Sequence, residues 1–192
     1  FETLKISLKA SNARDTIAAY RLMAQRADYP LHIGLTEAGT VRSGSIRSAA
    51  ALGVLLEEGI GDTLRISLSG DPVEEVFVAK KLLSTFELCS GGIEIVACPT
   101  CGRTRGPVIE VADRLEREWA DLQTDRTITV AIMGCEVNGP GEAAHADCGL
   151  AFVKGDRAVL FEAGTITARG GREEIEQRLR EAVERRLLSS MS

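Results

Sequence analysis

The chain has 192 residues, 44% hydrophobic and 4% aromatic, with 23 Lys+Arg against 28 Asp+Glu and a formal charge of −5. At ~150 residues per domain this allows one domain or two small ones, and the balance of apolar and charged residues excludes disorder and collagen-like structure. Net acidity argues against a general nucleic-acid-binding surface, and no apolar run reaches the ~20 residues that span a bilayer. The start, FETLKISLKASN, carries a charge at its second residue and no apolar h-region, so no signal peptide is expected. It lacks an initiator Met and begins almost directly in a strand-like segment, which suggests a piece of something longer.

In chain order, TLKISLK (3–9) alternates apolar and polar residues and reads as a strand. Ser11 or Asn12 can cap a helix that runs to about Ala27. Pro30 ends it, and LHIGLTE (31–37) is a second strand. IRSAAALGVLLEEG (46–59) reads as a helix closed by Gly59, and TLRISLS (63–69) as a third strand. Asp71-Pro72 then opens a helix with Glu74 and Glu75 near its positive end. Three βα units about 30 residues apart predict parallel strands, with polar, Gly-rich loops at their carboxyl ends.

From about Ser90 the pattern changes. IEIVA (93–97) is a strand leading into CPTCGR, followed by a helix over Val108–Leu122. TITVAIM (127–133) is a strand leading into GCEVNGPGEA. LAFV (150–153) and AVLFEAG (158–164) form a predicted hairpin, and Glu173–Leu188 a helix with Ile175, Leu179, Val183 and Leu187 as its buried stripe. This part reads as a small α+β sandwich with one helical side.

Five cysteines occur, Cys89, Cys98, Cys101, Cys135 and Cys148. The odd count fits metal or redox use better than a disulfide framework. Cys98-Pro-Thr-Cys101 places two thiolates on one ion, and Cys135, at the end of a later strand, supplies a third. Such a set suits zinc or an iron–sulfur cluster. The fourth ligand would be Cys148, Cys89, His145 or a carboxylate such as Glu142. Cys89 and Cys148 are better read as buried bystanders. In the first half, Lys9, Arg65 and Ser67 could hold phosphate oxygens, and Glu37, near those cations, could act as acid or base. Arg42 belongs to the same constellation. His32 reads as a satisfied strand histidine.

The segments KISLKASN, GLTEAGTVRSGSIRSAAALGVLLEEGIGDTLRISLSGDPVEEV, ACPTCGRT and MGCEVNGPGEA resemble the 4-hydroxy-3-methylbut-2-enyl diphosphate synthases of non-mevalonate isoprenoid biosynthesis. The resemblance implies α/β followed by α+β: the C-terminal part of a TIM-type barrel over 1–90, then a ferredoxin-like (sulfite-reductase-like) iron–sulfur domain over 91–192. It implies a 4Fe–4S cluster on Cys98, Cys101, Cys135 and Glu142, with Asn138 near the substrate. Lys9, Arg65 and Ser67 then bind diphosphate, and Glu37 is a catalytic acid or base. The reaction implied is reductive opening of 2-C-methyl-D-erythritol 2,4-cyclodiphosphate, with electrons from ferredoxin or flavodoxin, in a cytoplasmic bacterial homodimer. A carboxylate ligand is harder and more labile than thiolate, which suits Glu142 to give way during turnover. The family's first barrel strands are absent, so the chain alone is expected to be inactive. SLSGDP departs from familiar members, which leaves Gly70 and Asp71 without an assigned role. The alternative is a non-catalytic module, zinc-binding or an iron–sulfur electron carrier.

Overall fold

The computed structural model describes residues 3–89, 91–122, 124–137, 141 and 143–190. It divides into two compact units, Phe1–Cys89 and Ser90–Ser192. No helix among the described residues is long and apolar enough to cross a membrane.

The first unit alternates helices α1 (Ala13–Ala24), α2 (Val41–Glu57) and α3 (Pro72–Thr85) with short parallel strands β1 (His32–Gly34) and β2 (Thr63–Arg65). Asn12 caps α1 by accepting the Asp15 N–H at 2.9 Å. Asp71 caps α3 by accepting the Val73 N–H at 2.9 Å, with Pro72 in the first turn. Asp71 therefore has a structural role, and Gly70 leaves room for Val41, whose Cγ2 stands 2.7 Å from where a Cβ would be. Helix α2 starts five residues before the predicted Ile46, at Val41. Its first turn contains Gly44, where a Cβ would come within 2.5 Å of Leu68 Cδ2, so a residue read as turn-forming is there for close packing. Gly59, at φ +71°, ends the helix as anticipated, with Ile60 N–H donating to Leu55 C=O.

The predicted strand over 3–9 is an extended segment with a single bridge, Ile6 to Leu31. The cause is Tyr20, fully buried on α1. Leu8 N–H donates to the Tyr20 hydroxyl oxygen at 3.0 Å, and that hydroxyl lies 2.6 Å from His32 C=O and 2.8 Å from Leu8 C=O. It takes the place of a ladder bond between the segment and β1. Pairing resumes beyond it, where Thr36 N–H donates to Ala10 C=O at 3.0 Å.

The second unit is a five-stranded sheet in the order β3 (Ile93–Ala97), β4 (Ile128–Met133), β5 (Cys148–Val153), β6 (Arg157–Glu162), β7 (Thr165–Gly171). The first three strands are parallel and the last two antiparallel. Helices α4 (Val108–Glu118) and α5 (Arg172–Ser190) cover one face. Val111, Leu115, Ile128, Val130, Ile132, Leu150, Phe152, Leu160, Ile175 and Leu179 fill the space between. The other face buries Ala131, Met133, Ala151, Val159 and Phe161 with Ala143 and Ala146. Arg180 on α5 grips Glu118 on α4 through Nε at 2.7 Å and Nη2 at 2.9 Å, which holds the Glu118 carboxyl below its ordinary range. The one-sided helical layer is as read from sequence. Strand β7 is an addition: its polar–apolar alternation, TITAR, ends in two glycines and was not read as a strand.

Removing only the Tyr20 hydroxyl leaves buried partners unmatched. Tyr20→Phe is expected to lower the unfolding free energy by ~1–3 kcal/mol, read from the urea midpoint. An unchanged midpoint would show that the strand closes over the gap.

Candidate functional site

The polar side chains of the first unit are sorted by strand alternation. Ile6, Leu8, Leu31, Ile33, Leu64, Ile66 and Leu68 belong to the core packed against the helices. The residues between them, Lys5, Ser7, Lys9, His32, Gly34, Thr63, Arg65 and Ser67, occupy the opposite face. The register pairs Gly34 with Arg65, and the bonds on either side of Tyr20 keep one register that sets Lys9 level with Gly34. Lys9, Gly34 and Arg65 are thus one row across the extended segment and strands β1 and β2. Arg65 Nη2 would lie 3.3 Å from a Cβ at position 34, so its side chain runs along the glycine. Its Nε is buried with no hydrogen-bond partner among the described residues. Lys9 is exposed and Ser67 half-buried.

Below this row stand His32 and Thr63, paired in register, with His32 Nδ1 2.8 Å from Thr63 Oγ1. Lys5 Nζ donates to the same hydroxyl at 3.4 Å. Burial, and then Lys5, Arg65 and Lys9, push the His32 pKa below its ordinary value. The histidine is satisfied, as read from sequence, and it sits in a field of three cations. Lys5 escaped the sequence reading, although its spacing of four from Lys9 puts both on one strand face.

The strand ends are fixed from behind. Leu68 N–H donates to Glu75 Oε1 at 2.8 Å, and Ser69 N–H to Gly39 C=O at 2.8 Å. Glu37 is exposed and holds a left-handed backbone, φ +54°. Arg47 on α2, also missed from sequence, donates to carbonyls of both the 10–12 and 37–38 loops. Arg42 is exposed on the first turn of α2.

In the second unit the two cysteine loops leave neighbouring parallel strands. Cys98 N–H donates to Ile132 C=O at 3.1 Å, which extends the β3–β4 ladder by one bond. Gly134 N–H then donates to Cys98 Sγ at 3.1 Å, and Arg105 N–H to Gly134 C=O at 2.7 Å. Gly134, next to Cys135, is held between Cys98 and Arg105, at the two ends of the loop over 98–105. A Cβ there would stand 2.9 Å from Thr104 Oγ1 and 3.1 Å from Cys98 Sγ. Thr104 closes the loop over Cys101, accepting its N–H and donating its own to the Cys101 C=O, both at 3.0 Å. Thr100 holds φ +52°, unusual for a β-branched residue. Such strain clusters at ligand-holding loops.

Cys98 is half-buried, Cys101 exposed and Cys135 buried. Asn138 and Glu142 lie outside the described residues. Among the described residues no three His, Cys, Asp or Glu side chains stand together as a metal cage. Cys148 is fully buried in the sheet core, where burial pushes its thiol up to about 11. A thiol held protonated there is a poor ligand. Cys89 is in the first unit, with its sulfur 3.9 Å from Lys80 C=O, and His145 is exposed.

Two measurements check these arrangements. The unfolded chain's histidine titrates near ~6.5, whereas folded His32 stays neutral to lower pH. Between those values the unfolded state binds the proton first, so stability falls as pH drops below ~6.5. Urea unfolding at stepped pH should show this fall, and His32→Asn should remove its share; an identical pH profile in the variant contradicts it. Gly134→Ala is expected to cost ~1–3 kcal/mol by overpacking, and adding Thr104→Ala to recover part of it. A double variant no more stable than the single one would place the strain elsewhere.

Comparison with known protein families gives two matches. The family model described as the GcpE TIM-barrel domain matches residues 1–80, and the GcpE protein C-terminal domain matches residues 94–185. A relative from Geobacter sulfurreducens, named 4-hydroxy-3-methylbut-2-en-1-yl diphosphate synthase (flavodoxin), is 55% identical over 166 residues, 86% of this chain and 46% of its own length. Relatives of the same name from Ruminiclostridium cellulolyticum and Clostridium perfringens are 50% and 46% identical, over 93% and 96% of this chain and 50% and 52% of their own lengths. The chain spans about half the length of these curated relatives. On both domain matches and on these identities, the chain belongs to the GcpE family.

Proposed function

We propose that the chain carries substrate and cluster residues for the reductive opening of 2-C-methyl-D-erythritol 2,4-cyclodiphosphate to 4-hydroxy-3-methylbut-2-enyl diphosphate. The first unit is read as part of a TIM-type barrel over 1–90. The second is read as a ferredoxin-like iron–sulfur domain over 91–192; its sheet is open with α4 and α5 on one face, and its strands run in sequential order rather than in the split βαβ order of that fold. The observation that carries the reading is the meeting of the two cysteine loops, the Gly134 amide on Cys98 Sγ at 3.1 Å. Backbone N–H groups on sulfur tune the potential of a cluster that the sulfur binds.

The donor set fits a 4Fe–4S cluster: three thiols on two loops joined by backbone hydrogen bonds, with Glu142 as the fourth ligand. Such a cluster, when bound, supplies single electrons and a coordination position that a labile carboxylate can vacate. The protein's own part is positional. Lys9 and Arg65 present cations from one row, Ser67 a hydroxyl from the same face, and together they hold the diphosphate by charge-assisted hydrogen bonds. The orphaned Arg65 Nε supports this role. Glu37 serves as acid or base at the strand ends, and Asn138 is read as near the substrate. Electrons come from flavodoxin, the donor in the relatives' names, or from a ferredoxin. The working unit is a homodimer in the cytoplasm.

Anaerobic iron, sulfide and zinc analysis tests the reading, on a polypeptide of the relatives' length carrying this sequence. About four irons per chain and broad absorbance near ~400 nm are expected, with iron lost in Cys98→Ser, Cys101→Ser and Cys135→Ser and kept in Cys148→Ser. One zinc per chain and no colour would instead identify the non-catalytic zinc module.

A further inference from the structure

The Arg47 guanidinium on α2 donates to main-chain carbonyls of two different strand-end loops. Its Nη2 donates to Ser11 C=O at 2.7 Å. Its Nη1 donates to Ala38 C=O at 2.9 Å and to Glu37 C=O at 3.4 Å. Ser11 lies two residues beyond Lys9, and Glu37 leads into the Gly-rich turn before α2. The neighbouring bonds do not duplicate this link. Thr36 reaches Ala10 C=O with its N–H at 3.0 Å and its hydroxyl at 3.1 Å, which fixes the loop bases. Gly39 C=O is held by Ser69 N–H. Between those anchors the chain turns through the left-handed Glu37, φ +54°, a conformation that a glutamate adopts only when its surroundings impose it.

We propose that Arg47 is a positioning residue: its guanidinium holds Glu37 in that conformation and at a fixed separation from the loop that follows Lys9. The proposal rests on the reading of Glu37 as the acid or base and of Lys9 as a diphosphate ligand. A planar fork with five donors suits this task, because it can reach carbonyls in different directions without moving. Arg47 itself touches no reacting atom in this scheme. Its contribution is to the aim of the Glu37 carboxylate, so it belongs to kcat and leaves diphosphate binding to the Lys9–Arg65 row. Misplacement of a catalytic group by ~1 Å lowers rates by as much as ~100-fold.

The test uses the polypeptide of full relative length, loaded with cluster, and steady-state reduction of the cyclic diphosphate. Arg47→Met keeps the length of the stem and removes every donor. A fall in kcat of roughly 10- to 100-fold is expected, with KM within about twofold, and partial recovery in Arg47→Lys. Wild-type kcat in Arg47→Met overturns the proposal, as does a loss confined to KM, or an Arg47→Lys variant no better than Arg47→Met. If Arg47→Met does not fold, Arg47→Lys and Arg47→Gln decide, since both keep a donor of different reach; equal, wild-type kcat in the two overturns it. Glu37→Gln is measured alongside. Full turnover in Glu37→Gln would remove the acid–base reading on which the proposal rests. A crippled Glu37→Gln with an unimpaired Arg47→Met would remove the proposal alone.

Discussion

Parallel strands end with amides and carbonyls that no ladder can satisfy, and the way this chain satisfies them decides the rest of its structure. A buried or half-buried main-chain group without a partner costs as much as a lost hydrogen bond. In each unit the strand-end groups are paired with the neighbouring loop rather than left to water. Ser69 binds Gly39 and Thr36 binds Ala10 in the first unit; Arg105 and Cys98 bind Gly134 in the second. Glu37, Cys98, Cys101 and Cys135 lie on or beside these stitched loops, and Lys9, Arg65 and Ser67 on the strands that lead into them. The placement of their side chains is thereby a by-product of main-chain pairing.

The sulfur of Cys98 enters that scheme as an acceptor in its own right. A thiol is a weak acceptor, and a thiolate a strong one, so the Gly134 N–H bond is worth most when the proton is gone. Gly134 is fixed by the same need: only a residue without a side chain lets two loops close to 3.1 Å over a sulfur. In the first unit Gly34 plays a comparable part, giving the Arg65 side chain a floor to lie along between two cationic strands. Salt bridges contribute less. The Arg169–Glu136 pair, at 3.3 Å and well exposed on both sides, belongs to the class worth little in water.

Much of this was legible in the sequence because it follows from alternation. Lys9, Arg65 and Ser67 are out of step with their apolar neighbours, and one-face placement follows from a period of two. The helix starts at Asn12 and Asp71 were legible for a similar reason, since their side chains do locally what caps do. What alternation does not encode was missed. The early start of α2 depends on how closely its first turn approaches Leu68. The loss of a regular first strand depends on a tyrosine twelve residues away. Strand β7 has the alternation but closes on two glycines, and its place is given by Phe161 and its neighbours on β6. Arg47 carries no local signal at all, because its partners are carbonyls that every sequence possesses. Asn138 and Glu142 fall outside the described residues, so their place in the second unit rests on the family motif.

The Tyr20 hydroxyl has a meaning for how the first unit assembles. Where a strand pairs directly with its neighbour, the pair can form before any helix arrives. Here a part of the pairing between residues 3–10 and β1 runs through a side chain of α1, so the strand edge is complete only once that helix has docked. Secondary and tertiary structure are then acquired in one cooperative step. The opening strand, its helix and the next strand would exchange their amide protons as a single block rather than fraying from the end.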